Sequence, residues 1–393
     1  MSLSSFFSSL FTKKNKSVIG IDIGSSAIKI VQIRRKRGRA VLETYGELAL
    51  GPYAGVEIGR ATSLSNDKII EALRDIMRES KTTTVAAGVA LPLSSSLITF
   101  ITIPQVPEKQ LSEVISLEAR KYIPVPTNEV MLDYSIIPRE EKSNTPSSPE
   151  DGNIGQKDNT QKPVPTSPAS PIVQTAPKQM LDALVVAIHN EYINNYQSIM
   201  SGSGIQVGFY EIEIFSSIRA TVEQGIQGTM IIDMGAHATK LYIIERGLLR
   251  SSHIINKGSQ DITMAISKSL SISIDDAESL KRSFGLKGGP EYKELTEIIT
   301  VNLDYILYEA NATLLNYQKK YEKNISKVIL TGGGVMLKGF LDLAKISFQT
   351  EIIYADPFGK LETPAFLAEQ FLKSGPEFAV AIGCALRRLS EEE

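Results

Sequence analysis

Two short stretches of the chain carry residues whose types and spacing suit the same chemistry. The first is "VIGIDIGSSAIKI", residues 18–30. β-Branched residues alternate on either side of a polar centre, which predicts two strands joined by a tight turn with the polar groups at its tip. Such a tip can hold a phosphate. Gly24 lets the backbone come close, the amides of Ser25 and Ser26 can donate, Lys29 adds positive charge, and Asp22 can hold Mg2+ through water. Taken alone, the same residues also describe a plain Gly-Ser turn. The second stretch, "TMIIDMGAHATKLYII", repeats the order: an apolar strand, Asp233, an apolar residue, Gly235, Ala236, then His237, Thr239 and a lysine before another strand.

Two like hairpins imply two like domains facing each other, with both tips aimed at one cleft. A phosphate chain clamped there brings Asp22 and Asp233 to the same Mg2+, with the amides near Ser25, Ser26, Ala236 and His237 on the terminal phosphates. A third signal follows at "KVILTGGGVMLKGF", where a buried strand runs into Gly332, Gly333 and Gly334, a helix is expected to begin, and Met336 follows. The glycines clear space for a flat ring or ribose against backbone, and a helix N-terminus favours an anion.

Other elements position these motifs. Residues 67–79 predict an amphipathic helix with Ile69, Ile70, Leu73 and Ile76 on one face. "EKQLSEVISLEARKYIP" predicts a second, stopped by Pro124, with Leu111, Val114 and Leu117 packing inward. Strand, helix, strand and helix then follow from 181 to 224. Between Glu140 and Lys178 the text turns to Ser, Thr, Pro, Asn and Gln. Eight of the 18 prolines fall between Pro138 and Pro177, which rules out a helix or inner strand. This reads as a disordered insertion lengthening a strand-to-strand loop.

The 393 residues suffice for more than one core. A net charge of -2 removes any global pull toward nucleic acid, so no nucleic-acid partner is expected. One cysteine, Cys384, excludes an internal disulfide, and three scattered histidines make a zinc site, or metal ligation by His237, unexpected. No apolar run is long enough to span a bilayer, and the N-terminus lacks the signature of a signal peptide.

These motifs resemble the actin-like ATPase superfamily, whose five signature segments occur here in order. "GIDIGSSAIKI" is similar to its first phosphate loop, "VGFYEIEIFSSIRA" to connect-1, "IIDMGAHATKLYI" to the second phosphate loop, "VILTGGGVMLKGF" to the adenosine segment, and "EFAVAIGCAL" to connect-2. The resemblance implies an α/β, actin-like (ribonuclease H-like) two-domain ATPase fold binding ATP and Mg2+. It gives the connect-1 acid, which orders Mg2+ and the attacking water, to Glu213, with Glu211 two residues away as the other register. "DDAESLKRSFG" is similar to the helix that approaches ribose and adenine, nominating Glu278 and Lys281; the same pair also reads as an i,i+3 surface salt bridge.

Within the superfamily the text is most similar to the PilM family of type IV pilus assembly, in the FtsA-like branch, through "TIPQVPEKQLSEVISLEARKYIPVPTNEVMLDYSII" and the ending "AVAIGCALR". The resemblance implies an extra small subdomain. The organisation expected is a first actin-like subdomain over 17–95 and 205–228, the extra subdomain over 96–204, a second actin-like subdomain over 229–258 and 325–393, and a helical part over 259–324. It also implies a cytoplasmic scaffold, peripheral at the inner membrane, that binds the N-terminal cytoplasmic peptide of a PilN-like membrane protein. The groove for that peptide lies beside the small subdomain and is bordered by Arg120, Tyr122, Ile123 and Pro124. Pilus motor ATPases and further copies of the chain are other partners in view.

A sugar-kinase reading needs a general base beside an acceptor hydroxyl, and no separate aspartate motif supplies one. An FtsA-like reading expects a C-terminal amphipathic membrane helix, whereas the text ends "ALRRLSEEE". The motifs specify nucleotide binding; hydrolysis, at most slow, depends on water geometry that spacing does not set. Finally, Leu3, Phe6, Phe7, Leu10 and Phe11 form one helical stripe followed by Lys13, Lys14 and Lys16, a pattern suited to an anionic membrane or a protein groove. The basic turn from Arg34 to Arg39 fits a membrane-facing orientation, or is simply solvated.

Overall fold

The computed structural model describes residues 16–126, 128–137, 180–223 and 225–392. The N-terminal stripe and the 140–178 insertion lie outside the described residues. The chain divides into two compact units, one of residues 1–97 and 188–393, the other Ile98–Ala187.

The larger unit contains the same sheet twice. β1 (Ser17–Ile23), β2 (Ala27–Lys36) and β3 (Arg39–Ala49) form an antiparallel meander. Helix α1 (Asn66–Glu79) leads to β4 (Ala86–Leu91), which lies parallel to β1. α3 (Asn190–Gly202), β8 (Gln206–Ile212) and α4 (Glu213–Thr221) complete this half, in strand order β3-β2-β1-β4-β8. The second half repeats it with β9 (Gly228–Met234), β10 (Thr239–Glu245), β11 (Leu248–Ile255), β12 (Ile325–Thr331) and β13 (Glu351–Tyr354), in order β11-β10-β9-β12-β13. Its helices are α5 (Ser259–Leu270), α6 (Ile274–Phe284), α7 (Lys293–Tyr321) and α8 (Phe340–Ser347), and α9 (Ala368–Ser374) and α10 (Ala379–Glu391) follow them in the chain.

Alternation of side chains makes each central strand two-faced. On β1, Ile19 and Ile21 join Leu73 and Ile76 of α1 and Ile193, Ile199 and Met200 of α3. Val18, with Val31 and Ile33 of β2, meets Ala381, Ile382 and Ala385 of α10. Gly20 permits that second contact, since a Cβ there would lie 2.5 Å from the Ala385 nitrogen and closer still to the Ala381 carbonyl. The second sheet is covered by the buried face of α7, from Leu295 through Leu303 and Ile306 to Tyr317.

Two expected boundaries are corrected. α10 was placed with the second actin-like subdomain, but its alanine face is buried on the first sheet. α3 was placed in the extra subdomain spanning 96–204, yet it carries core residues of the first sheet, so the small unit closes at Ala187.

The small unit is a three-stranded sheet in order β5-β7-β6, from β5 (Ser96–Pro104), β6 (Val130–Ile137) and β7 (Met180–His189), with α2 (Glu108–Ala119) supplying the rest of its core. α2 ends at Ala119 rather than continuing to Pro124. The following turn closes through the Tyr122 and Ile123 amides onto the Ala119 carbonyl, and proline biases the residue before it away from helix. Ile115 and Ala119 are its buried residues, while Leu117, expected inside, is 63% exposed.

Candidate functional site

The two hairpin tips are built alike. Asp22 pairs across its hairpin with Lys29, and Asp233 pairs in the same register with Lys240. The Gly24 amide donates to Ala27 O at 3.0 Å, and the Gly235 amide to Ala238 O at 2.9 Å. The tip carbonyls are engaged in both halves: Ser25 and Ser26 accept from Thr62 and Leu50, and Gly235 and Ala236 accept from Ser259 and Gln260. Because a trans peptide sets N–H opposite C=O, the amides of Ser26, Ala27, Ala236 and His237 point away from those bonds. His237 is exposed at its tip. Thr239 is fully buried and its hydroxyl donates to Lys257 O at 2.8 Å, so its side chain secures the base of the hairpin rather than the tip.

Electrostatics join the halves. Burial raises the Asp22 carboxyl to about 6; Lys29 opposes this, and Glu213 and Asp233 add to it. Burial likewise raises Asp233, with Lys240 and then Lys29 opposing and Glu213 adding. Burial acts against the charge of Lys29, but Glu47 at 3.1 Å and Asp22 hold its pKa above the ordinary value. Four carboxylates, Asp22, Asp233, Glu213 and Glu47, therefore surround two ammonium groups, a surplus of negative charge that suits a cation.

Glu213 opens α4. It accepts the Leu93 amide at 2.7 Å and the Lys240 ammonium at 2.5 Å, so one side chain spans from the first half to the second hairpin. Glu211 is engaged elsewhere, with Arg219, Ser216 and Arg387. Burial opposes its charge, but Arg219 leads the partners that keep it below the usual carboxylate range.

Gly332 follows β12 with φ +84°, and a Cβ there would lie 2.5 Å from Asp233 Oδ1 and 2.6 Å from Met234 O. Glycine is thus needed both for the left-handed backbone and for the close approach to β9. The helix expected at the glycines is instead a 3-10 turn, Gly333–Met336, and α8 begins only at Phe340 after Gly339, itself at φ +87°. Gly333 is exposed near Glu377, Gly334 packs on Met234, and Met336 leans on the second core.

Glu278 and Lys281 form a 2.6 Å ion pair, but not on the surface. Thr263 donates to Glu278 at 2.6 Å, and Lys281 also donates to Thr263 at 2.8 Å and Ser259 O at 3.1 Å. Burial lowers the Lys281 pKa. Gly59 lies against Glu278 and Arg282, while the Ala61 amide donates to Gln260 at 2.6 Å. The 51–62 loop thereby reaches from the first hairpin to α5 and α6.

On the small unit, Arg120, Tyr122 and Pro124 are exposed. Ile123, expected in a partner groove, is only 7% exposed and belongs to the core. The sequence reading missed Lys240, which the repeat itself marks as the counterpart of Lys29. It also missed Glu47, Glu377 and Gln260, for which no local pattern exists.

Comparison with known proteins adds the following. The family model for type IV pilus assembly protein PilM matches residues 20–150 and 171–389. A solved PilM-PilN type IV pilus biogenesis complex superposes with a TM-score of 0.74 at 20% identity, covering 95% of this chain and 99% of that one. MreB 5 of Spiroplasma citri bound to AMPPNP gives 0.50 at 14% identity, covering 96% and 98%. These likenesses establish an actin-like fold. The cell division protein FtsA of Streptococcus pneumoniae is 26% identical over 44% of this chain and 43% of its own length, and that of Enterococcus hirae 21% over 90% and 81%. The chain thus spans less than half of the first of these relatives.

Proposed function

Because the chain belongs to the PilM family of type IV pilus assembly proteins, we propose that it is an ATP-binding scaffold, holding Mg-ATP between its hairpins and a PilN-like membrane protein's cytoplasmic peptide on its small unit. The observation that carries the nucleotide reading is the doubled Asp-Lys hairpin whose two halves are joined by Glu213 and Lys240. Two raised aspartates with too little neighbouring positive charge fit a divalent cation. Among the described residues no three His, Cys, Asp or Glu side chains come together as a metal cage. Mg2+ would therefore be completed by phosphate oxygens and water, as is usual for this ion.

In this reading Asp22 and Asp233 hold Mg2+ through water, the tip amides and Lys29 take the phosphates, and Gly332 to Gly334 with Glu278 and Lys281 border the nucleoside. Glu213, already bound to Lys240, is placed to orient water near the terminal phosphate. Binding would stabilise the closed arrangement of the two halves and pass that preference to partner surfaces. The solved PilM-PilN complex supports a PilN-like partner; in this reading the partner's peptide meets Arg120 and Tyr122, both exposed just after α2. Among the described residues no helix is long and apolar enough to cross a membrane. In this reading membrane attachment belongs to the partner or to residues 1–16.

The nucleotide reading is tested by thermal melting with and without Mg-ATP. A ligand at a hundredfold excess over its Kd stabilises by about 2.7 kcal/mol, and an unshifted transition sinks the reading. Calorimetry with the partner's N-terminal peptide tests the second half: affinity retained by an Arg120→Glu, Tyr122→Ala variant moves the peptide site elsewhere.

A further inference from the structure

Helix α7 has two apolar faces. One is buried from Leu295 to Tyr317 against the second sheet. The other faces solvent: Val301 is 70% exposed, Tyr308 71%, and Tyr305 and Leu315 more than half. With the partly covered Ala312 these fall at intervals of four, three, four and three residues, a continuous seam about 21 Å long at 1.5 Å per residue. A surface helix ordinarily shows a polar face there. The ends of the seam differ in net sign: Glu294 and Glu297 stand at its start, the latter already ion-paired with Lys293 at 3.7 Å, and Lys319 and Lys320 stand at its end ahead of Glu322, all exposed.

The geometry points to a second copy of this chain as the occupant of the seam, with the two α7 helices antiparallel about a two-fold axis between Tyr305 and Tyr308. An antiparallel pair sets each copy's acidic end against the other's basic end, and the two-fold satisfies both contacts at once. It also opposes the helix dipoles favourably. A parallel pair would put like charges together. In the antiparallel register Tyr305 of one copy packs on Tyr308 of the other, Val301 meets Ala312, and Glu294 and Glu297 lie beside Lys319 and Lys320. Five side chains per copy make a small contact compared with a standard interface of about 1,600 Å2. The dimer is therefore weak and concentration-dependent, suited to copies held close together.

Sedimentation velocity of the full chain over a concentration series should show a monomer-dimer equilibrium. Tyr308→Asp should weaken it roughly tenfold or more. Glu294→Lys with Glu297→Lys should weaken it less, and adding Lys319→Glu with Lys320→Glu should restore it at low salt. The only cysteine, Cys384, is fully buried, so an introduced thiol reports cleanly. A short bis-maleimide should link Tyr308→Cys to its own copy but not Val301→Cys, since in this register the latter residues stand about 16 Å apart along the helices.

A monomer at the highest soluble concentration overturns the proposal, as does a dimer unaffected by Tyr308→Asp. Equal linking of both cysteine variants overturns the antiparallel register. A dimer lost on removing residues 1–15 but kept in the α7 variants assigns the contact to that segment instead.

Discussion

Replacing Asp22 by asparagine should make the nucleotide-free protein more stable while removing its response to Mg-ATP. Burial, reinforced by Glu213 and Asp233 against the opposing lysines, holds the folded carboxyl at about 6 against an ordinary 3.8. At 1.36 kcal/mol per pKa unit, ionising Asp22 at neutral pH costs the folded chain up to about 3 kcal/mol. The sign follows from proton linkage. A carboxyl with a raised pKa binds its proton more tightly in the folded state, so its contribution is fully present below pH 4 and is lost as pH rises through 6.

Asparagine carries no such cost. Lys29 keeps Glu47 at 3.1 Å, so the variant does not orphan the lysine. Urea unfolding of both proteins without nucleotide should therefore give nearly equal stabilities near pH 4. The gap should open in favour of Asp22→Asn toward pH 7, reaching about 1 to 3 kcal/mol with unchanged m-values. A gap that does not vary with pH, or a less stable variant at pH 7, would refute the claim that this carboxylate is held under electrostatic strain for a cation.

Lys240→Met should act in the opposite direction, costing about 3 to 5 kcal/mol by leaving Glu213 buried with only the Leu93 amide; a loss under 1 kcal/mol in denaturant titration would show the pair is better solvated than its geometry implies. Gly332→Ala combines a left-handed backbone with a Cβ 2.5 Å from Asp233 Oδ1, so a loss of at least about 1 to 3 kcal/mol is expected together with weaker Mg-ATP stabilisation in the same melt. Deleting 140–178 and joining β6 to its sheet neighbour β7 by a short turn should leave melting and nucleotide binding within about 1 kcal/mol of the parent, and aggregation of the deleted protein would count against an inert loop.

What the sequence by itself determined is what repeats or alternates locally. The two hairpins were legible because period-2 alternation on both sides of a Gly-containing polar turn needs no distant residue; the register that sets Asp22 opposite Lys29 and Asp233 opposite Lys240 came from the fold. α1 was legible from its apolar spacing, and Gly332 from the oddity of three glycines after a buried strand.

The tertiary structure decided whatever depends on pairing across long separations. Nothing within "YEIEIF" distinguishes Glu211 from Glu213; their partners differ only in the fold, Arg219 and Arg387 for the first and Lys240 for the second. Helix α10 ends the chain yet packs on the first strand, because Gly20 leaves a groove that only the folded sheet presents. Glu278 and Lys281 read in sequence either as nucleoside-facing residues or as a surface pair, and only the fold shows Thr263 and the 51–62 loop lying against them. Ile123 looked available to a partner until the small sheet buried it. Spacing specifies which face a side chain takes. Its partners, and hence its charge state, depend on burial by residues far along the chain.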